Sequence, residues 1–231
     1  MPSIELLHVT PHELVVCKPA GLPSELPRDP GADSLMSRLG THGYADLRLV
    51  HRLDSPTSGL MIVARSADAA AHYSAEIAAR RWKKVYVAEV AVPVARAQTL
   101  VGDHKAYLAT RGRKAVIVRS GGKPSMLTIE RVAPVADASG RSHVLVRLQT
   151  GRFHQIRVML SALGAPLAGD GTYGGPAGDR FYLEHVLLAA RLFGSTDLSV
   201  WRAPAGAGRP SWSAALHEAV NAEEALLRRG A

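Results

Sequence analysis

Residues 51–64 read HRLDSPTSGLMIVA, and the fold turns on how the two halves of that stretch are taken. Leu60 to Ala64 form an uninterrupted apolar run, too short and too uniform for a surface helix, and they predict a strand buried on both faces. The half before it mixes Pro56, Gly59 and hydroxyl side chains, which predicts a loop. A loop fixed at its base by a buried strand can hold a carboxylate at the rim of a cleft, and Asp54 is that carboxylate. Arg52 stands two residues earlier, so an extended backbone would turn both side chains to the same side. On residue type alone, Asp54 reads first as a turn or capping residue and second as a catalytic group.

Working outward, ELVVC at 13–17 predicts a short buried strand ended by the turn Lys18-Pro19-Ala20-Gly21. The proline-rich stretch 22–31 predicts an exposed loop. Asp33 is expected to cap a short helix through Leu39 that Gly40 ends. Ser66 is expected to cap a helix over 67–81, with Asp68 in its first turn and Arg80 and Arg81 in its last. Ala70, Tyr73 and Ile77 would face inward. VYVAEVAV at 85–92 predicts a strand, 104–119 a hairpin or two short strands around Arg111-Gly112, and His143 to Gln149 an alternating strand. Ile156, Met159, Leu160 and Leu163 recur at helical spacing, giving one buried stripe stopped by Gly164 and Pro166. Arg157 falls about 100° around from Ile156. On that flank a guanidinium is buried only if a carboxylate or another acceptor meets it; the alternative is a surface arginine snorkelling over the core. The loop GDGTYGGPAGD at 169–179 lacks the order of a nucleotide-binding P-loop. Strands interspersed unevenly with few helices give an α+β class with a mixed or antiparallel sheet. The domain reading is a catalytic domain over 1–202, then a connector and C-terminal helix over 203–231 packed on it.

A chain of 231 residues, 47% hydrophobic and 21% charged, can bury one sizeable core, which excludes wholesale disorder. The formal charge of +8 favours a polyanionic partner. From His104 to Lys123 the chain carries Lys105, Arg111, Arg113, Lys114, Arg119 and Lys123 with no acidic residue between, an RNA-facing patch or a solvated basic surface. Arg80-Arg81-Trp82-Lys83-Lys84 is a second such flank, readable equally as a helix C-terminus with charges that suit its dipole. Cys17 is the sole cysteine, so neither an intrachain disulfide nor a cysteine zinc cluster can form. The histidines are scattered without ligand spacing, so no metal is expected. No uncharged apolar run approaches the roughly 18 residues that span a bilayer. The start lacks a secretory pattern, and a reduced, cytoplasmic protein is expected.

Taken together, HRLD with TSGL at 51–60 and Gly151-Arg152-Phe153-His154-Gln155-Ile156-Arg157 resemble the RluA-type RNA pseudouridine synthases. VVCKPAGLPSE at the start resembles their KPAG strand-turn, Lys83-Lys84-Val85-Tyr86-Val87-Ala88 their K-x-Y-x-A strand, and Ala168-Gly169-Asp170 with Tyr173-Gly174 their GD-x-x-YG loop. Five segments match in order from about Leu14 to Phe193. The resemblance implies a bent mixed or antiparallel sheet with a central RNA-binding cleft. It implies Asp54 as the essential aspartate, Tyr86 as the active-site tyrosine against the target base, and Arg157 as the arginine paired with the aspartate. Arg52 matches a basic residue that fills the space left by a flipped nucleotide. Three positions depart: relatives have asparagine where Cys17 stands, histidine where Met159 stands, and a histidine shortly before the final aliphatic strand, where this chain reads Leu187-Leu188-Ala189-Ala190. Many relatives carry a small N-terminal RNA-binding domain, and this chain is expected to begin at the catalytic domain without it.

The implied activity is an isomerisation of uridines in ribosomal or transfer RNA, needing no cofactor and no metal, by a monomer that binds RNA and no membrane. A nearby Arg157 cation would favour the ionised carboxylate. Two rivals stand beside it. A non-catalytic RNA-binding or ribosome-assembly protein on the same fold would have no need for Asp54, Tyr86 and Arg157 together. An N-glycosidase would release free base.

Overall fold

The computed structural model describes residues 4–25, 32–137, 140–178, 180–206 and 209–230. In chain order, the first elements are β1 (Glu5–Val9), β2 (Glu13–Lys18), α1 (Leu35–Thr41), β3 (Arg48–Leu49), β4 (Ser58–Ala64) and α2 (Ala67–Ala78). Next come β5 (Lys83–Val90), α3 (Val94–Gln98), β6 (Gly102–Arg111), β7 (Lys114–Ile117), β8 (Lys123–Pro134), β9 (Ser142–Leu148) and α4 (Gln155–Ala162). The chain closes with β10 (Leu183–Arg191), β11 (Leu198–Arg202) and α5 (Ala214–Arg229). The elements fall into two compact units, one of Met1–Trp82, His185–Gly208 and Leu227–Ala231, the other of Lys83–Glu184 and Arg209–Leu226.

In the first unit β2 lies between β1 and β4, antiparallel to both, and β3 and β11 add short antiparallel pairs to β4 and β10. The apolar run decides this arrangement as expected. Leu60 through Ala64 are wholly buried, and Leu60, Ile62 and Ala64 turn one face to Ala69 and Tyr73 of α2 and to Leu188 and Ala190 of β10. A strand buried this way contributes about 1.5–3 kcal/mol per large aliphatic side chain, enough to fix the loop that precedes it. In the second unit the strands follow the order β5-β9-β8-β6-β7, each pair antiparallel. Helix α3 packs on β8 and β9, and α4 on β7. Glu223 of α5 accepts from Arg147 of β9 at 2.9 Å.

Several boundaries differ from expectation. Ser34, not Asp33, caps α1 through a reciprocal capping box with Ser37, while Asp33 accepts from the Arg38 Nε at 2.8 Å. Gly40 lies inside that helix, which ends at His42. Ser66 caps α2 as expected, but the helix stops at Ala78 because Arg80 takes φ +58°, so Arg80 and Arg81 stand outside its last turn. Its most buried side chains are Ala69, Tyr73 and Glu76, with Ala70 and Ile77 beside the core. Residues 26–31 of the expected 22–31 loop, and 207–208 of the 203–210 connector, lie outside the described residues.

Candidate active site

Two turns of the first unit are laced together around Asp54. The Gly21 N–H donates to the Ser55 carbonyl at 2.8 Å, and the Ser55 hydroxyl donates back to the Gly21 carbonyl at 3.1 Å. The Ser24 hydroxyl donates to the Leu53 carbonyl at 2.8 Å and accepts from the Leu53 N–H at 3.1 Å, gripping both backbone groups of the residue before Asp54. Leu53 is buried, and the Asp54 carbonyl accepts from the Thr57 N–H at 3.0 Å to close the turn. His51 is also held, its Nε2 accepting from the Ile62 N–H at 2.9 Å. The side chain of Asp54 is half-buried.

Beneath this loop lies Lys18, wholly buried at the end of β2. Its ammonium donates to the carbonyls of Pro19 at 3.0 Å, Leu22 at 2.7 Å and Ser55 at 3.2 Å, one acceptor for each N–H. Burial pulls its pKa down to about 7, opposed by the charges of Asp54 and Cys17, which favour the ammonium. At the far end of the loop Gly59 takes φ +114°, and a Cβ there would stand 2.4 Å from the His185 carbonyl oxygen. Only glycine lets β4 pass β10 that closely. Arg52 is exposed and salt-bridged to Glu25 at 2.5 Å.

The second unit holds Tyr86 and Arg157. Tyr86 is 6% exposed in β5, opposite Val146 of β9. The GRFHQIR segment forms the entry to α4, and each polar residue in it has a distinct task. Gln155 accepts from the Thr150 hydroxyl at 2.8 Å and the Arg152 N–H at 3.0 Å, and donates to the Met126 carbonyl at 3.0 Å, fixing the turn to β8. His154 takes φ +53° and its Nδ1 lies 2.8 Å from the Tyr173 hydroxyl, which also accepts from the Ala115 N–H at 2.8 Å. Arg157 is buried, not snorkelling. Its Nε and Nη2 donate to the two oxygens of Asp170 at 2.7 and 2.8 Å, and its guanidinium carbon lies 5.1 Å and 5.4 Å from the ring centres of Tyr173 and Phe181. Asp170, 2% exposed, is the carboxylate that the burial of Arg157 requires within this unit.

Residues 12–162 match the family model for RNA pseudouridylate synthase. The dual-specificity RNA pseudouridine synthase RluA of Escherichia coli K12 is 34% identical over 192 residues, covering 83% of this chain and 86% of that protein. The chain belongs to this family. It is an RNA pseudouridine synthase, an isomerase. The ribosomal large subunit pseudouridine synthase D of Pseudomonas aeruginosa is 32% identical over 75% of this chain, which spans about half (54%) of that relative's length. Among solved structures, the human RNA pseudouridylate synthase domain containing 1 superposes with a TM-score of 0.71 at 25% identity, over 98% of this chain and 95% of that one.

Within the family, three residues that the sequence left without a role now have one. Lys18 and Ser24 build the loop that carries Asp54, and Asp170 fixes Arg157. A histidine does stand two residues before Leu187: His185 is buried inside β10, which begins at Leu183, with its Nδ1 2.7 Å from the Leu60 carbonyl. Among the described residues no three histidine, cysteine or acidic side chains gather as a metal site, and no helix is long and apolar enough to cross a membrane.

Proposed function

We propose that this synthase converts uridine to pseudouridine in structured ribosomal or transfer RNA, with Asp54 as its catalytic carboxylate. The observation that carries the assignment of Asp54 is the lacing of its loop: the backbone N–H groups of Gly21 and Thr57, the Ser24 hydroxyl and the Lys18 ammonium hold the segment that bears one half-buried carboxylate. Such preorganisation suits a group that must meet a reacting atom. The relatives' names, a ribosomal large subunit pseudouridine synthase and a dual-specificity RNA pseudouridine synthase, support the choice of RNA.

In the reaction the bond from the sugar C1′ to uracil N1 breaks, the ring turns over, and a bond from C1′ to ring C5 forms. The proton on C5 leaves, and N1 gains one. Asp54 either attacks C1′ or removes a sugar proton to give a glycal. The target nucleotide flips out of its stack at a cost of a few kcal/mol. Tyr86 meets the base, Arg52 fills the vacated space, and Arg157 takes the role of the arginine that orients the aspartate, all by their match to the family's motifs. Phosphate contacts from Lys105 to Lys123 offset part of the flipping cost.

Tritium at uracil C5 tests the assignment, because that hydrogen leaves only when the carbon–carbon bond is complete. The wild type is expected to release tritium from RNA of cells lacking the enzyme. Asp54→Asn, nearly isosteric, is expected to bind that RNA and release none. Equal release by both proteins sinks the assignment; release of labelled uracil instead marks a glycosidase.

A further inference from the structure

A lysine normally carries its ammonium to water or to a carboxylate. Lys84, the second residue of β5, is only 8% exposed, and no hydrogen bond or ion pair reaches it among the described residues. Its surroundings add a second cation. Burial and the nearby Arg152 charge both disfavour the ammonium and pull its pKa down to about 8. Arg152 itself is exposed, its Nε 3.5 Å from the Pro124 carbonyl, with no carboxylate on it among the described residues. Two adjacent cations without a counter-charge raise the energy of the free protein.

The residue that lies against the amine has no side chain. A Cβ at Gly151 would stand 3.0 Å from the Lys84 Nζ, and Gly151 is exposed. The turn that carries Gly151 and Arg152 is rigid, fixed through Gln155 to Thr150 and Met126. Lys84 also shares a face of β5 with Tyr86, two residues on, roughly 6–7 Å along the strand.

We propose that Lys84 and Arg152, beneath Gly151, form a subsite for one phosphodiester of the substrate RNA, next to the nucleotide whose base meets Tyr86. A singly charged phosphate oxygen pair satisfies the buried ammonium and the exposed guanidinium at once, and no side chain at position 151 blocks its approach. The inference rests on the placement of Tyr86 against the target base.

Lys84→Met and Arg152→Gln, compared with wild type on unmodified transfer and ribosomal RNA, test it. Each variant is expected to flatten the slope of log affinity against log salt by about 0.7–0.9, the loss of one phosphate contact, and to act through KM more than through kcat. The wild type has a further signature. Its amine must be protonated to hold phosphate, so affinity is expected to fall as pH rises above about 8, the value to which burial has pulled Lys84. Lys84→Met should lose that fall. Unchanged salt slopes and an unchanged pH profile in Lys84→Met overturn the subsite. Should that variant not fold, an unchanged slope in the exposed Arg152→Gln overturns it alone. A wild type that neither binds nor converts RNA defeats the functional reading instead, whereas normal conversion with unaltered variants defeats only the subsite.

Discussion

A buried charge constrains its neighbours more tightly than any apolar residue, and each unit holds one such case. Lys18 meets three carbonyls drawn from residues 19, 22 and 55. Removing it takes a donor from each, although the Ser55 carbonyl keeps the Gly21 N–H, so Lys18→Met is expected to cost roughly 2–4 kcal/mol. The pH dependence has a definite sign. With a folded pKa of about 7 and an ordinary value of 10.5 when unfolded, the unfolded chain holds the extra proton between those limits. Stability contributed through Lys18 therefore rises with pH across that window, and the deficit of Lys18→Met should be larger at pH 9 than at pH 7. Denaturant titrations at both pH values decide it; a deficit that shrinks with pH is the contrary result. Asp170 is the second case. Asp170→Ala leaves the Arg157 guanidinium without its bidentate partner and is expected to destabilise by roughly 3–5 kcal/mol. The double variant Asp170→Leu with Arg157→Met should be less destabilised than the sum of its parts, since the stranded charge is gone. Asp54 could be nominated from a motif because its neighbours in sequence announce it. Lys18 and Asp170 also stand in quoted motifs, but their roles do not show there, because Ser55 and Arg157, the partners across the fold, lie 37 and 13 residues away.

At the scale of elements, periodicity located the segments and local chemistry misplaced their ends. The Leu60–Ala64 run is where apolar spacing put it, and of the stripe Ile156, Met159, Leu160 and Leu163 the first three are buried in α4, while Leu163 is its half-buried C-cap and burial runs unbroken from Gln155 to Leu160. The end of α2 was hidden, since nothing in Ala79-Arg80-Arg81 marks a left-handed residue, and Arg80 adopts φ +58° without being glycine or asparagine. Asp33 and Ser34 are both good caps, and the choice fell to Ser34 because Ser37 answers it across the first turn. Gly59 is the most exacting junction. At φ +114° with a backbone oxygen 2.4 Å from its missing Cβ, Gly59→Ala must push β4 and β10 apart. A loss of at least about 2 kcal/mol is expected, from backbone strain together with steric displacement. Because Asp54 sits five residues ahead on the same segment, tritium release should fall further than the folded fraction does. Thermal melting and activity measured on one preparation separate the two effects; a variant with wild-type melting and activity would show that the junction yields freely.

For the molecule as a whole, charge says more than shape. A formal charge of +8 spread evenly would serve solubility, but six cations stand between Lys105 and Lys123 without one acidic residue. All six are exposed, on or beside the β6–β7 hairpin, and Tyr107, 42% exposed, lies under the Lys105 ammonium at 5.8 Å. The hairpin is also anchored from below. The Lys114 ammonium donates to the Thr172 carbonyl at 3.3 Å and the Ala115 N–H to the Tyr173 hydroxyl, both in the loop that fixes Arg157. A solvated face has no need for such footing, whereas a surface that must present phosphate contacts in register does. Affinity for RNA is then expected to fall steeply with salt, three phosphate contacts from this run accounting for a slope of about −2 to −3 in log affinity against log salt. Reversing the charges of Lys105, Arg111, Arg113 and Lys114 together should remove most of that slope, while Asp54→Asn should leave it intact. Reversing four exposed cations elsewhere lowers the net charge equally and so isolates position from total charge. An equal loss in both sets would mean that only the overall charge matters, and an unchanged slope in the hairpin set would mean that this ribbon faces away from the RNA.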